Sequence, residues 1–147
     1  MPKPSSLKFI NRIIDANINR TKEGLRVCEE ISRFILESRP ITAQLKKIRH
    51  RVDVFLKKLS TPAALLKERN SLKDVGQHIY ANELKRKNYQ DILFANLQRV
   101  KESIRVLEEF SKLKDKRIAI GFKKLRYGIY ELEKKVIKKI PFIRYHR

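Results

Sequence analysis

The chain repeats one long segment of its own sequence 79 positions further on. Residues 16–34 are ANINRTKEGLRVCEEISRF, and residues 95–113 are ANLQRVKESIRVLEEFSKL. Ten of the nineteen aligned positions are identical, and most of the others exchange one apolar residue for another. A second match, at an offset of 77, aligns LKKIRHRV from Leu45 with FKKLRYGI from Phe122. The repeat therefore predicts two copies of one helical hairpin.

Apolar residues recur at helical spacing through most of the chain, and no long stretch alternates with the period of a strand. The two hairpins are predicted at about 10–59 and 88–139, with a short helix at 62–68 between them. Residues 69–78 break the period and contain a glycine, which predicts a loop. We therefore expect an all-α, four-helix arrangement with pseudo-twofold symmetry, forming one domain over residues 1–147.

The net charge of the chain is +20, from 36 basic and 16 acidic residues. Such an excess predicts an anionic partner, and a nucleic acid, a phosphorylated metabolite or an acidic protein would satisfy it. The chain has one cysteine, no signal-like start and no apolar run near the ~18 residues of a membrane span. These features predict a cytoplasmic protein without a membrane segment.

Polar residues recur inside the predicted apolar stripes. At about 100° per residue, each inner stripe carries an asparagine, then an arginine at its edge, then a small residue. The first copy supplies Asn17, Arg20 and Gly24, and the second supplies Asn96, Arg99 and Ser103. A buried amide or guanidinium without a hydrogen bond costs about 1–3 kcal/mol, so each needs a partner.

Two interpretations of these inner residues remain open. The two sets can satisfy one another across the symmetry axis and so set helix register, as an internal asparagine does in coiled coils. Alternatively, Gly24 and Ser103 leave space between the helices, and an anionic ligand enters to meet the guanidinium forks of Arg20 and Arg99.

Carboxylates and a glycine near these stripes are candidates for metal and phosphate binding. Glu23 and Glu102 lie nearest the stripe edge, where they can bind a metal or hold the arginines. In the loop, Asp74 offers a carboxylate for Mg²⁺, and Gly76 offers an amide that can approach a phosphate. An ordinary turn is the alternative, and the isolated D-x-G pattern by itself favours it.

Lysine pairs recur eleven residues apart on the second helix of each hairpin. They are Lys46 and Lys47, Lys57 and Lys58, Lys123 and Lys124, and Lys134 and Lys135. A solvated face accounts for such ridges, and so does a footprint for a phosphate backbone. We identify no aromatic platform beside the ridges in the sequence.

Four motifs in this order resemble the small hydroxymethylpyrimidine phosphate kinase family of thiamine biosynthesis, often fused ahead of thiamine phosphate synthase. They are IIDANINRTKEGLRVCEE, KDVG, ANLQRVKESIRVLEE and LRYGIYELE, and the resemblance spans about Ile10 to Glu133. It implies transfer of the ATP γ-phosphoryl group to 4-amino-5-hydroxymethyl-2-methylpyrimidine phosphate, giving the diphosphate. The implied cofactors are Mg²⁺ and ATP as co-substrate.

Phosphoryl transfer between anions needs positive charge, Mg²⁺ and positioning. On this hypothesis Arg20 and Arg99 clamp the phosphates, and Asp74 holds Mg²⁺ together with Glu23 or Glu102. The substrate-binding set is then Asn17, Asn96, Gly24, Ser103, Gly76, Arg49 and Arg126, of which the last two match in the second repeat.

Two other functions remain open. One is a non-enzymatic basic helical module that binds nucleic acid or an acidic partner through the lysine ridges. The other is a degenerate kinase-like domain that binds a thiamine precursor without turnover. Its basis is the loop, where Arg69-Asn70 and Gln77 stand in place of the Arg-Asp and Thr that the family tends to have. A duplicated hairpin can also pair with a second chain, so a homodimer is a further expectation.

Overall fold

The computed structural model describes residues 4–78 and 81–140. In chain order its elements are α1 (Pro4–Phe34), α2 (Arg39–Leu59), α3 (Pro62–Glu68), a 3₁₀ turn (Ser71–Lys73), a second 3₁₀ turn (Ala81–Leu84), α4 (Tyr89–Ser111) and α5 (Lys116–Lys139). No strand occurs among the described residues, so the all-α prediction is confirmed. The short helix predicted at 62–68 is α3, so the described residues contain five α-helices, and the predicted four-helix arrangement is not confirmed. The pseudo-twofold symmetry stays a prediction.

Polar side chains cap the helices that follow α1. Ser38, Thr61, Asn88 and Asp115 each precede a helix in extended backbone, and each side chain accepts a hydrogen bond from an amide of the first turn. Such a cap contributes about 1 kcal/mol, because it satisfies one of the four amides that a helix start leaves open. Ser38, Thr61 and Asp115 each end a short loop of a few residues, and Asn88 ends the long 69–88 connection.

Helix α1 lies at the centre of the fold, in contact with α2, α3 and α4, while α5 packs on α2 and α4. The apolar side chains between the helices form one buried cluster. Fully buried members include Ile14, Leu25, Leu45, Val52, Leu97, Ile104, Phe122 and Ile129. None of the helices in the described ranges combines the length and apolarity needed to cross a membrane.

The small residues of the repeat let α1 and α4 approach closely. A Cβ placed on Gly24 would lie 2.8 Å from Val100 Cγ2 and 3.3 Å from the carbonyl oxygen of Asn96. The hydroxyl of Ser103 is buried 2.7 Å from the hydroxyl of Thr21. The space predicted beside Gly24 and Ser103 is therefore filled by the opposite helix, and the expectation that a ligand enters there is wrong.

The inner asparagines bond to their own helices. Asn17 Nδ2 donates to the carbonyl of Ile13 at 2.8 Å, and Asn96 Nδ2 donates to the carbonyl of Ile92 at 2.7 Å. Each bond reaches back four residues, so the amides need no partner across the α1–α4 contact. The interpretation in which the two sets satisfy one another is therefore also wrong for the asparagines.

In each repeat, a buried glutamate on the first helix binds an arginine on the second helix. Glu29 on α1 accepts from Arg49 on α2 at 3.4 Å and from Arg26 at 3.1 Å. Its counterpart Glu108 on α4 accepts from Arg126 Nε on α5 at 3.1 Å and from Arg105 at 2.6 Å. The arginines that were predicted to bind substrate from the neighbouring helices, Arg49 and Arg126, are thus bound to buried carboxylates.

We predict that Gly24→Val lowers the free energy of unfolding by about 1–3 kcal/mol, because the added methyl groups overpack the α1–α4 contact. Gly128→Val is the matched control, since nothing lies within 4 Å of a Cβ placed on that exposed helical glycine. The control should change stability by less than about 0.5 kcal/mol. Urea unfolding followed by circular dichroism measures both, and equal losses would contradict the close approach.

Cys28 lies fully buried in the core, and burial raises the pKa of its thiol to about 12. Because the thiolate is the reactive form, the folded protein should not react with an aromatic disulfide reagent at pH 8. One thiol per chain should react after unfolding in guanidinium, since this is the single cysteine of the chain. Fast reaction of the folded protein would show that this part of the core opens readily.

Candidate functional site

A cleft of about 890 Å³ lies beside the first half of α1. One wall is α1 from Phe9 to Glu23, and the facing wall is the segment 69–77. Arg99 reaches in from α4, and Glu83 from the second 3₁₀ turn. The cleft therefore joins both repeats to the connection between them.

The cleft collects six of the residues that the sequence singled out, and six others lie elsewhere. Those lining the cleft are Asn17, Arg20, Glu23, Asp74, Gly76 and Arg99. Those outside it are Gly24, Arg49, Asn96, Glu102, Ser103 and Arg126. The two arginines predicted to act together, Arg20 and Arg99, are thus brought to one site from different helices.

Four cations at the cleft have no carboxylate partner among the described residues: Arg12, Arg20, Lys73 and Arg99. The guanidinium of Arg20 donates to Asn17 Oδ1 at 3.3 Å, and that of Arg12 donates to the carbonyl of Asn70 at 3.3 Å. Neutral acceptors orient these groups without cancelling their charge. Five cationic side chains and the four carboxylates of Asp15, Glu23, Asp74 and Glu83 line the cleft, which gives it a formal net charge of +1.

One of the acidic residues of the cleft, Asp74, bonds within the loop. Asp74 Oδ1 accepts a hydrogen bond from the amide of Gly76 at 2.8 Å. This amide was predicted to approach a phosphate, but it is already engaged within the loop. In the part of the chain that the structure describes, no three His, Cys, Asp or Glu side chains group as metal ligands do. Glu102 lies outside the cleft, where Gln98 donates to it at 3.4 Å. Mg²⁺ binding by Glu23 and Asp74 stays a prediction.

An ion pair that the sequence analysis missed holds the loop against α1. Arg69 forks onto the buried carboxylate of Asp15, with Nε 2.8 Å from Oδ2 and Nη2 2.7 Å from Oδ1. The hydrogen bonds and the charge of Asp15 raise the pKa of Arg69. Asn19 adds a longer bond of 3.4 Å to Asp15 Oδ1. Residues 54 apart in sequence are thereby joined at the floor of the cleft.

The signal for this pair was a difference between the repeats. Asp15 precedes the matching segment, and the residue 79 positions later is Phe94. A search for polar residues that recur in both copies therefore passes over Asp15. A carboxylate present in one copy alone, just before the strongest match, marked the copy that bears the cleft.

A sequence model of the ThiD2 family matches residues 12–135. The chain belongs to this family. Proteins named thiamine-phosphate synthase are similar to it, with 41% identity over 125 residues in Synechocystis sp. and 39% over 127 residues in Nostoc punctiforme. These alignments cover 84% and 86% of this chain, but 35% of each relative. A relative of the same name in Rhodopirellula baltica is 36% identical over 134 residues, 88% of this chain and 36% of the relative.

These comparisons connect the ThiD2-family chain to thiamine biosynthesis, as the motifs had implied. The chain spans about a third of the length of the curated relatives it matches. No solved structure matches it. The predicted enzyme identity, hydroxymethylpyrimidine phosphate kinase, is wrong by this comparison, because the relatives are named thiamine-phosphate synthase, a different enzyme.

We predict that Asp15 and Arg69 are coupled by about 1–2 kcal/mol in a double-mutant cycle of Asp15→Ala and Arg69→Ala. The expected value is moderate because Arg69 is 45% exposed, and water screens the pair. The control cycle uses Asp115 and Arg117, a pair in which the arginine is 90% exposed, and should give a coupling near zero.

Loss of the fork should also release the loop. Trypsin should cleave after Lys73, which is exposed in the loop, several times faster in Asp15→Ala than in the parent protein. An unchanged cleavage rate together with zero coupling would mean that other contacts hold the loop.

Proposed function

We propose that this ThiD2-family chain is a phosphate-binding domain of thiamine biosynthesis, and that its cleft binds a phosphorylated pyrimidine precursor of the vitamin. The observation that carries the proposal is the convergence of Arg12, Arg20, Lys73 and Arg99 on one cleft without carboxylate partners. The carboxylates of Glu23, Asp74 and Glu83 line the same cleft and offset part of the repulsion among these cations. A dianionic phosphate ester relieves that repulsion.

Arginine suits this ligand because its planar fork donates two parallel hydrogen bonds to a phosphate. Arg20 and Arg99 come from α1 and α4, so a phosphate between them would be held from both sides. Asn17 fits the role of a positioning residue, since its Oδ1 already accepts from Arg20 and its Nδ2 is committed to the carbonyl of Ile13. The net charge of +20 steers anions toward such a site.

The cleft also offers apolar surface for a heterocyclic ring. Phe9 on α1 and Val75 on the loop both line the cleft, and they are 60% and 94% exposed. Ile13 adds a further apolar group on α1. Small-molecule sites combine apolar walls with a few convergent polar groups, and a pyrimidine phosphate presents both kinds of surface.

The chain matches about a third of each thiamine-phosphate synthase, so a role in handling a phosphorylated intermediate is proposed without a reaction step. ATP and Mg²⁺ stay predictions from the family resemblance, and both belong in the ligand panel.

The test is isothermal titration with 4-amino-5-hydroxymethyl-2-methylpyrimidine phosphate, with its non-phosphorylated alcohol, and with ATP in the presence and absence of Mg²⁺. We expect the phosphate ester to bind and the alcohol to bind at least tenfold more weakly. Arg20→Ala and Arg99→Ala should each weaken binding of the ester about tenfold or more, since a charged hydrogen bond contributes about 1.5–3 kcal/mol.

Arg39→Ala is the matched control, because it removes the same charge from an exposed position outside the cleft. It should leave the affinity within about twofold. Equal binding of ester and alcohol, or equal losses in Arg39→Ala and Arg99→Ala, would contradict a specific phosphate site in the cleft.

A further inference from the structure

Two tyrosines on α5 present their rings to solvent. Tyr127 is 55% exposed and Tyr130 is 42% exposed. Their ring centroids lie 5.6 Å apart at an interplanar angle of 63°. A second aromatic pair, Phe55 and Phe122, is by contrast buried in the core. The exposed pair therefore contributes little to the core and supplies an aromatic surface on the outside of α5.

An anchored arginine holds these rings in place. Arg126 Nη1 donates to the hydroxyl of Tyr130 at 3.0 Å, and its guanidinium carbon lies 5.3 Å from the Tyr127 centroid and 5.8 Å from the Tyr130 centroid. Arg126 is itself fixed by the buried Glu108. The rings are thus ordered before any partner arrives, which lowers the entropy lost on binding.

Lysines surround the exposed pair. On a helical wheel of about 100° per residue, Lys116, Lys123, Lys134 and Lys138 fall within about 40° of Tyr127, and so does the exposed carboxylate of Glu131. None of these four lysines pairs with a carboxylate among the described residues. We call this surface, Tyr127 and Tyr130 with the four lysines, the tyrosine face. At about 1.5 Å per residue it is about 33 Å long.

We propose that the tyrosine face binds single-stranded nucleic acid. Its lysines contact the phosphates, and Tyr127 and Tyr130 stack on bases. Sites of this class combine a basic surface with aromatic side chains, because the bases of a single strand are open for stacking. Duplex nucleic acid fits less well, since its bases are already stacked on one another. The tyrosine face is separate from the cleft, because no residue of α5 lines the cleft.

Comparison with helix α2 separates the contribution of the lysine charge from that of the tyrosine rings. The repeat aligns the lysine pairs of α2 with those of α5 at an offset of 77. The same alignment places His50 opposite Tyr127 and Asp53 opposite Tyr130. Asp53 also pairs with Lys22 at 2.8 Å, which reduces the charge on that side. Helix α2 therefore carries the counterparts of Lys123 and Lys134, Lys46 and Lys57, without the rings, whereas Lys116 and Lys138 align with Arg39 and Thr61.

The test is fluorescence anisotropy of a fluorescein-labelled twelve-nucleotide oligo(dT) titrated with the full chain at low and moderate salt. We expect Tyr127→Ala and Tyr130→Ala each to weaken binding about tenfold, in line with stacking energies of about 1–3 kcal/mol per base. Lys134→Ala should reduce the slope of log affinity against log salt by about one. His50→Ala should leave the affinity within about twofold. Thermal melting checks that these exposed variants fold.

The chain has five tyrosines and no tryptophan, so intrinsic tyrosine fluorescence gives an independent readout. Stacking should quench it in the parent protein, and the quenching should fall in the Tyr127→Ala, Tyr130→Ala double variant.

Three outcomes would overturn the proposal. One is equal or tighter binding of a duplex of the same length, and another is an equal loss in His50→Ala and Tyr127→Ala. The third is a loss in Arg99→Ala as large as that in Tyr127→Ala, which would place the oligonucleotide in the cleft. Binding of the pyrimidine phosphate is measured separately, so failure here leaves the proposed function intact.

Discussion

The close contact between α1 and α4 is the constraint on which the other helices depend. Gly24 removes the side chain that would keep the helices apart, and Thr21 and Ser103 meet at 2.7 Å inside the contact. Because the two backbones approach this closely, the contact fixes which side of each helix faces its partner and which side faces away. The buried glutamates, Glu29 and Glu108, then point outward to the second helix of each repeat, where their arginine partners attach α2 and α5.

The distribution of ion pairs decides where the positive charge remains available. Most carboxylates inside the fold are already bound by arginine or lysine, and at the cleft the buried carboxylate of Asp15 is bound by Arg69. The remaining cleft cations therefore keep neutral partners or none. This arrangement favours an anionic ligand in the cleft, whereas the lysine pairs of α2 and α5 lie on solvent-facing surfaces.

The two repeats have diverged where function is proposed. Asp15 has Phe94 as its counterpart, so the loop is anchored at one copy and the cleft forms on that side. Tyr127 and Tyr130 have His50 and Asp53 as counterparts, so the aromatic surface belongs to the other copy. The residues that the two copies share include no aromatic platform. Exposure of the tyrosines on α5 became visible only in the folded chain.

The sequence by itself determined the helical class, the short helix at 62–68, the loop after it and the pairing of Arg20 with Arg99 as cleft residues. Apolar spacing and the recurrence of residues predict these features, because both patterns can be read within a single helix. Only the tertiary structure decided that Gly24 and Ser103 are packing residues, that Arg49 and Arg126 bind buried glutamates, and that Asp15 holds the loop. Each of these depends on which residue of another helix lies opposite, and that distance is set by the packing of the whole core.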